Sequence, residues 1–313
     1  METIDNENLV VGVILNYNTT ADTKKCINFL LQQKYENFMI IVVDNFSSNR
    51  TQVENLKKFC DEQQIIFLPS DKNGGFSYGN NIGIKKAIKD GCNYILTLNN
   101  DVEVPKESLK KAMEAIEINK EFDVFQLFII NYFNKDICDA AGLNFKDDLI
   151  PLQVGFKENV ADILNRDDIK IDGVCAGAAI YSTKSLETVK LDDENYFDSN
   201  FFAYFEDVDL SLRLKGAGYK FKLLKDSIVY HMHSATGGKT SGFKEYYLTR
   251  NLFMYTKRNQ TIEEYKKHKK EYYIRFLKTI VKNINNFNAI KLAVKGLSDG
   301  LKESKKIQYW KIQ

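Results

Sequence analysis

The chain has 313 residues, 44% hydrophobic and 27% charged, with a formal net charge of +2. That is the make-up of a soluble globular protein with core enough for one large domain or two small ones. The five cysteines are widely spaced without a CxxC pair, which excludes a zinc ribbon or disulfide framework, and no apolar run approaches the roughly 18 residues of a membrane span.

The first 100 residues alternate strand and helix signals. Leu9–Leu15 is a continuous apolar run, the pattern of a strand buried on both faces, and Asn16-Tyr17-Asn18 breaks it. Helical spacing follows from Thr23 to Gln33, then a second buried strand at Phe38–Val43 and a polar turn at Asp44–Asn49. A helix from about Thr51 to Glu62, a strand at Ile65–Leu68, a helix from Tyr78 to Lys89 and a strand at Tyr94–Leu98 complete the series. Strands and helices joined by short links predict a parallel α/β sheet, whose right-handed crossovers gather the loops after each strand on one edge. Those loops read Asn16-Tyr17-Asn18, Asp44-Asn45, Asn73-Gly74-Gly75 and Asn99-Asn100-Asp101. Asn, Asp and Gly form turns for local reasons, but four such loops on one edge point to a ligand.

The middle is less regular. Leu109–Ile118 is predicted helical and Phe122–Phe133 carries a strand-like core, while residues 150–170 resist assignment. The small-residue run Asp172–Tyr181 suits either tight sheet packing or close approach of backbone to a ligand or strand. Phe201–Phe205 then runs straight into Glu206-Asp207-Val208-Asp209, with Leu212 and Arg213 in helical register and Gly216 and Gly218 as stop signals. Three carboxylates in a first turn suit the helix dipole, and Asp209 with Arg213 at i, i+4 suits a surface pair. The apolar wall before Glu206 and Asp207 suits a different purpose, since desolvation raises a carboxylate's pKa toward that of a working base. Phe221–Leu224 and Ser227–Tyr230 are predicted as two further strands, the second ending at His231.

Charge is divided unevenly. From Lys257 onward there are 15 Lys and Arg against 5 Asp and Glu, whereas the residues before it hold 29 against 37. An acidic body with a basic, amphipathic tail suits either a solvated helical face or a surface helix against anionic lipid, and the acidic body argues against nucleic acid. The polar, acidic stretch at residues 1–7 argues against a signal peptide, so a cytoplasmic protein is expected, peripheral at the inner membrane face if the tail binds lipid. No Walker sequence is present and no GxGxxG follows a strand, which argues against a P-loop enzyme or a common dinucleotide dehydrogenase.

Taken in order, Val13–Asn18, Val42–Ser48, Asn73–Asn81, Leu98–Asp101, Phe205–Arg213 and Val229–His231 with Ser234 resemble the family 2 glycosyltransferases of the GT-A fold. The likeness is to their rhamnosyltransferase-like bacterial members and covers roughly residues 9–251, with Gly296–Leu301 similar to the family's usual ending. It implies a mostly parallel nucleotide-binding sheet flanked by helices, a catalytic domain at 1–255 and a basic helical extension at 256–313. It further implies inverting transfer of a sugar from a nucleotide-diphosphate donor, a dTDP- or UDP-sugar with dTDP-rhamnose as the family-level expectation. The acceptor would be a hydroxyl of a glycan or lipid-linked molecule in surface polysaccharide synthesis.

By the same resemblance, Asn16, Tyr17, Asn18, Asp44, Asn45, Asn73, Gly74, Gly75 and Asn100 would face the donor, with Asp44 accepting from a pyrimidine ring N–H. Asn99-Asn100-Asp101 stands where the family carries its DxD-like motif, so Asp101 would hold Mg2+ or Mn2+, and His231, matching the family's late histidine, would be a further metal or diphosphate contact. Asp207 would be the base that takes the acceptor's proton and Glu206 its neighbour on the acceptor, leaving Asp209 to pair with Arg213. His233 has no clear counterpart and is expected to be an ordinary surface histidine. The QxxRW pattern of processive synthases is absent, the only tryptophan being Trp310. The alternative is a non-catalytic member that binds carbohydrate or scaffolds an assembly.

Overall fold

A computed structural model describes residues 8–232 and 242–305. His233, Ser234 and Trp310 fall outside them. Strand β1 (Val10–Asn16), helix α1 (Thr20–Leu30), β2 (Phe38–Asp44), α2 (Arg50–Glu62), β3 (Ile66–Pro69), α3 (Gly75–Lys89) and β4 (Tyr94–Leu98) follow in the alternation the sequence predicts. Helix α3 starts three residues earlier than its pattern suggests, because Gly74 caps it without a side-chain hydrogen bond and leaves no N-cap signal to read. Next come β5 (Val102–Glu103), α4 (Ser108–Ile118), β6 (Val124–Asn131), β7 (Cys138–Ala140) and β8 (Leu143–Phe145). They lead into β9 (Pro151–Gln153), α5 (Val160–Leu164), β10 (Ala178–Ser182), α6 (Thr183–Val189), α7 (Glu206–Gly216) and β11 (Phe221–His231). Three helices close the described chain: α8 (Phe243–Arg258), α9 (Ile262–Lys282) and α10 (Phe287–Glu303).

The central sheet runs β3-β2-β1-β4-β10-β6-β11-β5, with β7 on β6. Its first four strands are all parallel; β10 then enters antiparallel between β4 and β6, and β6 and β11 are again parallel. Successive residues of the first strands bury on opposite faces, which is why the runs read as continuously apolar. Val10, Ile14, Val42 and Leu96 pack under Ile27, Leu30, Leu56, Met113 and Ile116 of α1, α2 and α4. Val11, Val13, Val43 and Ile95 pack under Ile84, Leu186, Leu210 and Leu214 of α3, α6 and α7.

The sequence splits residues 221–230 into two strands; the structure has one, with a register shift between Leu224 and Ile228. Polar Lys225-Asp226-Ser227 interrupts the apolar pattern there without ending the strand. The kink is pinned to the start of α4, where Ser108 Oγ donates to Ile228 O at 2.6 Å and Ser227 Oγ to Ser108 O at 2.8 Å. A third core joins Phe201, Phe205, Val208 and Leu212 to Leu252, Phe253 and Tyr255 of α8 and Tyr272 of α9. Tyr272 also donates its hydroxyl to Asp148 O at 2.8 Å, so α9 is anchored to the body of the molecule. All five cysteines are free thiols, and among the described residues no helix is long and apolar enough to cross a membrane.

Candidate functional site

The loops after β1, β2, β3 and β4 knit together at the edge the topology predicts. Asp44 is buried and accepts at Oδ1 from Asn16 Nδ2 (2.7 Å) and Ser47 Oγ (2.6 Å), and at Oδ2 from the Ser47 N–H (3.1 Å). Asn16 is equally enclosed and accepts at Oδ1 from Thr23 Oγ1 at 2.8 Å. Asn100 Nδ2 donates to Thr19 Oγ1 and Thr23 Oγ1 at 2.7 and 2.8 Å, which ties the β4 loop to the β1 loop. Asn16 therefore frames the site through its neighbours. Tyr17 is half-buried, and Asn18, exposed with φ 57°, accepts at Oδ1 from the Ser48 N–H at 2.8 Å. Asn45 Nδ2 donates to Asn73 Oδ1 and Gly75 O, and its Oδ1 accepts from the Gly74 N–H. Gly75 has φ +79°, and a Cβ there would stand 2.1 Å from Phe202 O, so only glycine lets this loop meet the aromatic segment before α7.

Register brings two far-apart residues together at the same edge. Pairing of β11 with β5 sets His231 opposite Val102, and the Met232 N–H donates to Asp101 O at 2.9 Å. His231 Nε2 lies 3.2 Å from Asp101 Oδ1 and its Nδ1 3.7 Å from Asp139 Oδ2. Burial opposes the imidazolium, but the two carboxylates outweigh it and raise its pKa to about 9. A divalent cation between Asp101 and His231 would displace the imidazolium proton, and one carboxylate with one neutral imidazole suits a cation whose remaining ligands are diphosphate oxygens and water. Among the described residues no three His, Cys, Asp or Glu side chains are already set around a metal position.

Glu206 and Asp207 open α7 below these loops. Three non-glycine residues just before them, Phe202, Tyr204 and Phe205, have φ of 66°, 67° and 74°. Bulky residues in the left-handed region cost about 1–3 kcal/mol each and persist only where the surroundings over-determine them. The two carboxylates differ in their donors. Asp207 Oδ2 accepts from the Ala176 N–H at 3.2 Å and Oδ1 from the Val208 N–H at 2.8 Å, whereas Glu206 Oε2 is buried without a hydrogen-bond partner. Burial raises both pKa values, but backbone N–H groups pull Asp207 back, while the Asp207 charge pushes Glu206 further up. Both effects favour a proton on Glu206 over one on Asp207.

Asp209 and Arg213 do pair, but in the core rather than on the surface. Arg213 Nε donates to Asp209 Oδ2 at 2.9 Å with both side chains fully buried, Arg213 Nη2 donates to Tyr196 O at 2.6 Å, and Nη1 donates to Val189 O. Burial would raise the Asp209 pKa, but Arg258 and Arg213 hold it below the usual carboxylate range. The small-residue run packs in the sheet: Ala178–Ser182 is the inserted strand β10, and just before it the Ala176 N–H meets Asp207.

Three residues at the site carry no sequence signal of their own. Asp139 reaches His231 only because β7 folds back on β6. Gln126, buried on β6, accepts at Oε1 from the Cys175 N–H at 2.6 Å and so sets the loop whose Ala176 N–H meets Asp207. Asn251 of α8 donates to the carbonyls of the left-handed segment. A buried amide inside an otherwise apolar strand or helix run is the one cue that could have marked the last two. A cavity of about 500 Å³ lined by Lys111, Lys222, Lys225 and Asp226 lies at the opposite end of β11 from His231 and shares no residue with this edge.

Known proteins resemble this chain in sequence and fold. A hexosyltransferase of low-salt glycan biosynthesis, Agl10 of Haloferax volcanii, is 23% identical over 208 residues, 65% of this chain and 60% of that protein. The matched region thus spans less than two thirds of that first relative's length. The dTDP-rhamnosyl transferase RfbF of Shigella flexneri is 23% identical over 264 residues, 80% of each chain. Among solved structures, GalNAc-T7 with UDP, GalNAc and Mn2+ superposes with a TM-score of 0.59 at 13% identity, covering 90% of this chain and 58% of that one. The glycosyl transferase family 2 model matches residues 13–190. With the GT-A fold, the ordered loops on one sheet edge and more than half its length inside that match, the chain belongs to glycosyl transferase family 2.

Proposed function

We propose that this chain is an inverting glycosyltransferase that moves a hexosyl or deoxyhexosyl group from a dTDP- or UDP-sugar to a hydroxyl of a glycan or lipid-linked acceptor in surface polysaccharide synthesis. The observation that carries the proposal is the paired carboxylate at the start of α7, where two backbone N–H groups face Asp207 and Glu206 Oε2 is buried without a partner. Transfer with inversion requires one base. The acceptor O–H gives its proton to the Asp207 carboxylate as its oxygen bonds to the sugar C1, and the C1–O bond to the diphosphate breaks with its electron pair. No second carboxylate is needed as nucleophile. Protonated Glu206 is a hydrogen-bond donor to an acceptor oxygen, which an ionised neighbour of Asp207 would not be. Asp44, Asn45, Tyr17, Asn18, Asn73–Gly75 and Asn100 form the donor's side of the edge, with Asn16 behind Asp44.

Asp101 and His231 would hold Mg2+ or Mn2+, which offsets negative charge on the departing diphosphate; the Mn2+ and UDP in the GalNAc-T7 structure favour this. RfbF, a dTDP-rhamnosyl transferase, makes dTDP-rhamnose the first donor to try. The basic tail would hold the enzyme at the inner face of the cell membrane, where a lipid-linked acceptor lies.

The test is a panel of nucleotide sugars with Mg2+ or Mn2+, followed by release of UDP or dTDP and by product formation. Asp207→Asn is expected to abolish transfer while the donor still shifts the melting temperature. Near-normal transfer by that variant would remove Asp207 as base, and no turnover of any donor by the native chain would favour a carbohydrate-binding or scaffolding role.

A further inference from the structure

The segment that delivers Glu206 and Asp207 is held from outside. From Asn200 to Tyr204, five successive backbone carbonyls each accept from a group beyond the segment. Arg250 Nη1 donates to Asn200 O at 2.9 Å, and the Phe76 N–H donates to Phe202 O at 2.6 Å. The other three belong to a single side chain. Asn251 Nδ2 donates to Phe201 O at 2.9 Å, Ala203 O at 2.8 Å and Tyr204 O at 2.7 Å. Two N–H bonds thus serve three carbonyls, while Asn251 Oδ1 accepts from Arg250 Nη1 at 2.8 Å. Asn251 is fully buried, and the carbonyls it gathers flank the left-handed residues Phe202, Tyr204 and Phe205.

We propose that Asn251 is a positioning residue for the base: its amide holds the left-handed aromatic segment in the one conformation that aims Asp207 from the first turn of α7. Three carbonyls converging on one nitrogen cannot be matched by water without opening the core between α7 and α8. The C-terminal helices support the clamp from behind. On α10, Gly300 lies so close to α8 that a Cβ would stand 2.6 Å from Arg250 O, so the backbone next to Asn251 is fixed by direct helix contact. The helical extension therefore acts on the catalytic end of the molecule as well as on any membrane. The catalytic half of this inference rests on the assignment of Asp207 as base; the clamp itself does not.

The experiment compares the native chain with Asn251→Asp, close in shape but without the N–H donors, and with Asn251→Ala. Asn251→Ser, which keeps one donor, replaces Asn251→Ala if that variant does not fold. Backbone hydrogen exchange is followed at Ala203 and Val208, and the kinetics are measured with the donor found active in the nucleotide-sugar panel. Exchange at those two amides is expected to quicken about tenfold while β1 and β4 stay protected. The kcat should fall by roughly a hundredfold, with the donor KM and the thermal shift by UDP or dTDP unchanged. Unchanged exchange at Ala203 and Val208 overturns the clamp, whatever the kinetics. Quickened exchange with native kcat overturns its role in positioning. Loss of kcat, donor binding and global stability together overturns it as well, by reducing Asn251 to a core residue. A native chain that turns over no donor refutes the glycosyltransferase assignment instead, and leaves the clamp to be decided by exchange.

Discussion

Glu206 and Asp207 are adjacent and both acidic, yet Glu206 is buried and Asp207 only half-buried, and their surroundings act on them differently. Burial and the neighbouring Asp207 charge push Glu206 up, while the N–H groups of Ala176 and Val208 hold Asp207 back. This difference has a measurable consequence for stability. In the unfolded chain a glutamate loses its proton near pH 4.3, whereas folded Glu206 keeps it to well above the ordinary value. Above about pH 4.3 the unfolded state therefore binds fewer protons than the folded one, and stability falls with rising pH until folded Glu206 ionises. Glu206→Gln removes that loss. Its melting temperature should exceed the native value at pH 7.5, and the gap should shrink toward zero near pH 4; a gap independent of pH would mean that Glu206 is ionised in the fold. The identity of these two residues was legible in the sequence, and so was the apolar wall before them. Their division of the charge was not, because the Ala176 N–H reaches Asp207 from 31 positions away.

Helix α7 is the element on which the site depends, and it is anchored at both ends. Asn251 holds the segment before it, and Arg213 fixes its second turn to Asp209, Val189 O and Tyr196 O. Removing one member of a fully buried pair strands the other charge in the core. Arg213→Leu should cost about 3–5 kcal/mol in urea unfolding, with Arg258 and Asn259 relieving part of the stranded Asp209 charge. A change below about 1 kcal/mol, the worth of an exposed pair, would restore the surface reading. Spacing at i, i+4 is the same on a surface and in a core, so the sequence named the pair but not its depth. Strand β11 taught a similar lesson: its three polar residues looked like a break, and the serine bonds to α4 made them a kink.

At the scale of the whole molecule, the C-terminal helices join the site to a second surface. Helix α8 crosses residue 255, where composition changes, and carries Asn251 into the catalytic half while α10 packs on its other side. On the outer face of α9 and its turn into α10, Leu277, Val281, Ile284 and Phe287 are 57, 69, 71 and 80% exposed. Lys270, Lys278 and Lys282 lie along the same helix. Apolar side chains flanked by lysines suit the boundary of an anionic bilayer. Replacing these four apolar residues by serine should abolish co-sedimentation with phosphatidylglycerol vesicles and spare turnover of soluble donor. Undiminished vesicle binding would reject this face as the membrane contact.

The sequence alone determined the alternating α/β framework, the loops on one edge, the candidate carboxylates and the basic tail. Each of these is written in local periodicity, turn residues or charge, which act between near neighbours in the chain. Only the tertiary structure decided which carboxylate is faced by backbone N–H groups, that Asp139 joins Asp101 and His231, and that an amide on α8 holds the segment before Asp207. These depend on strand register and helix packing, which bring together groups up to 130 positions apart and leave no mark on either partner taken alone.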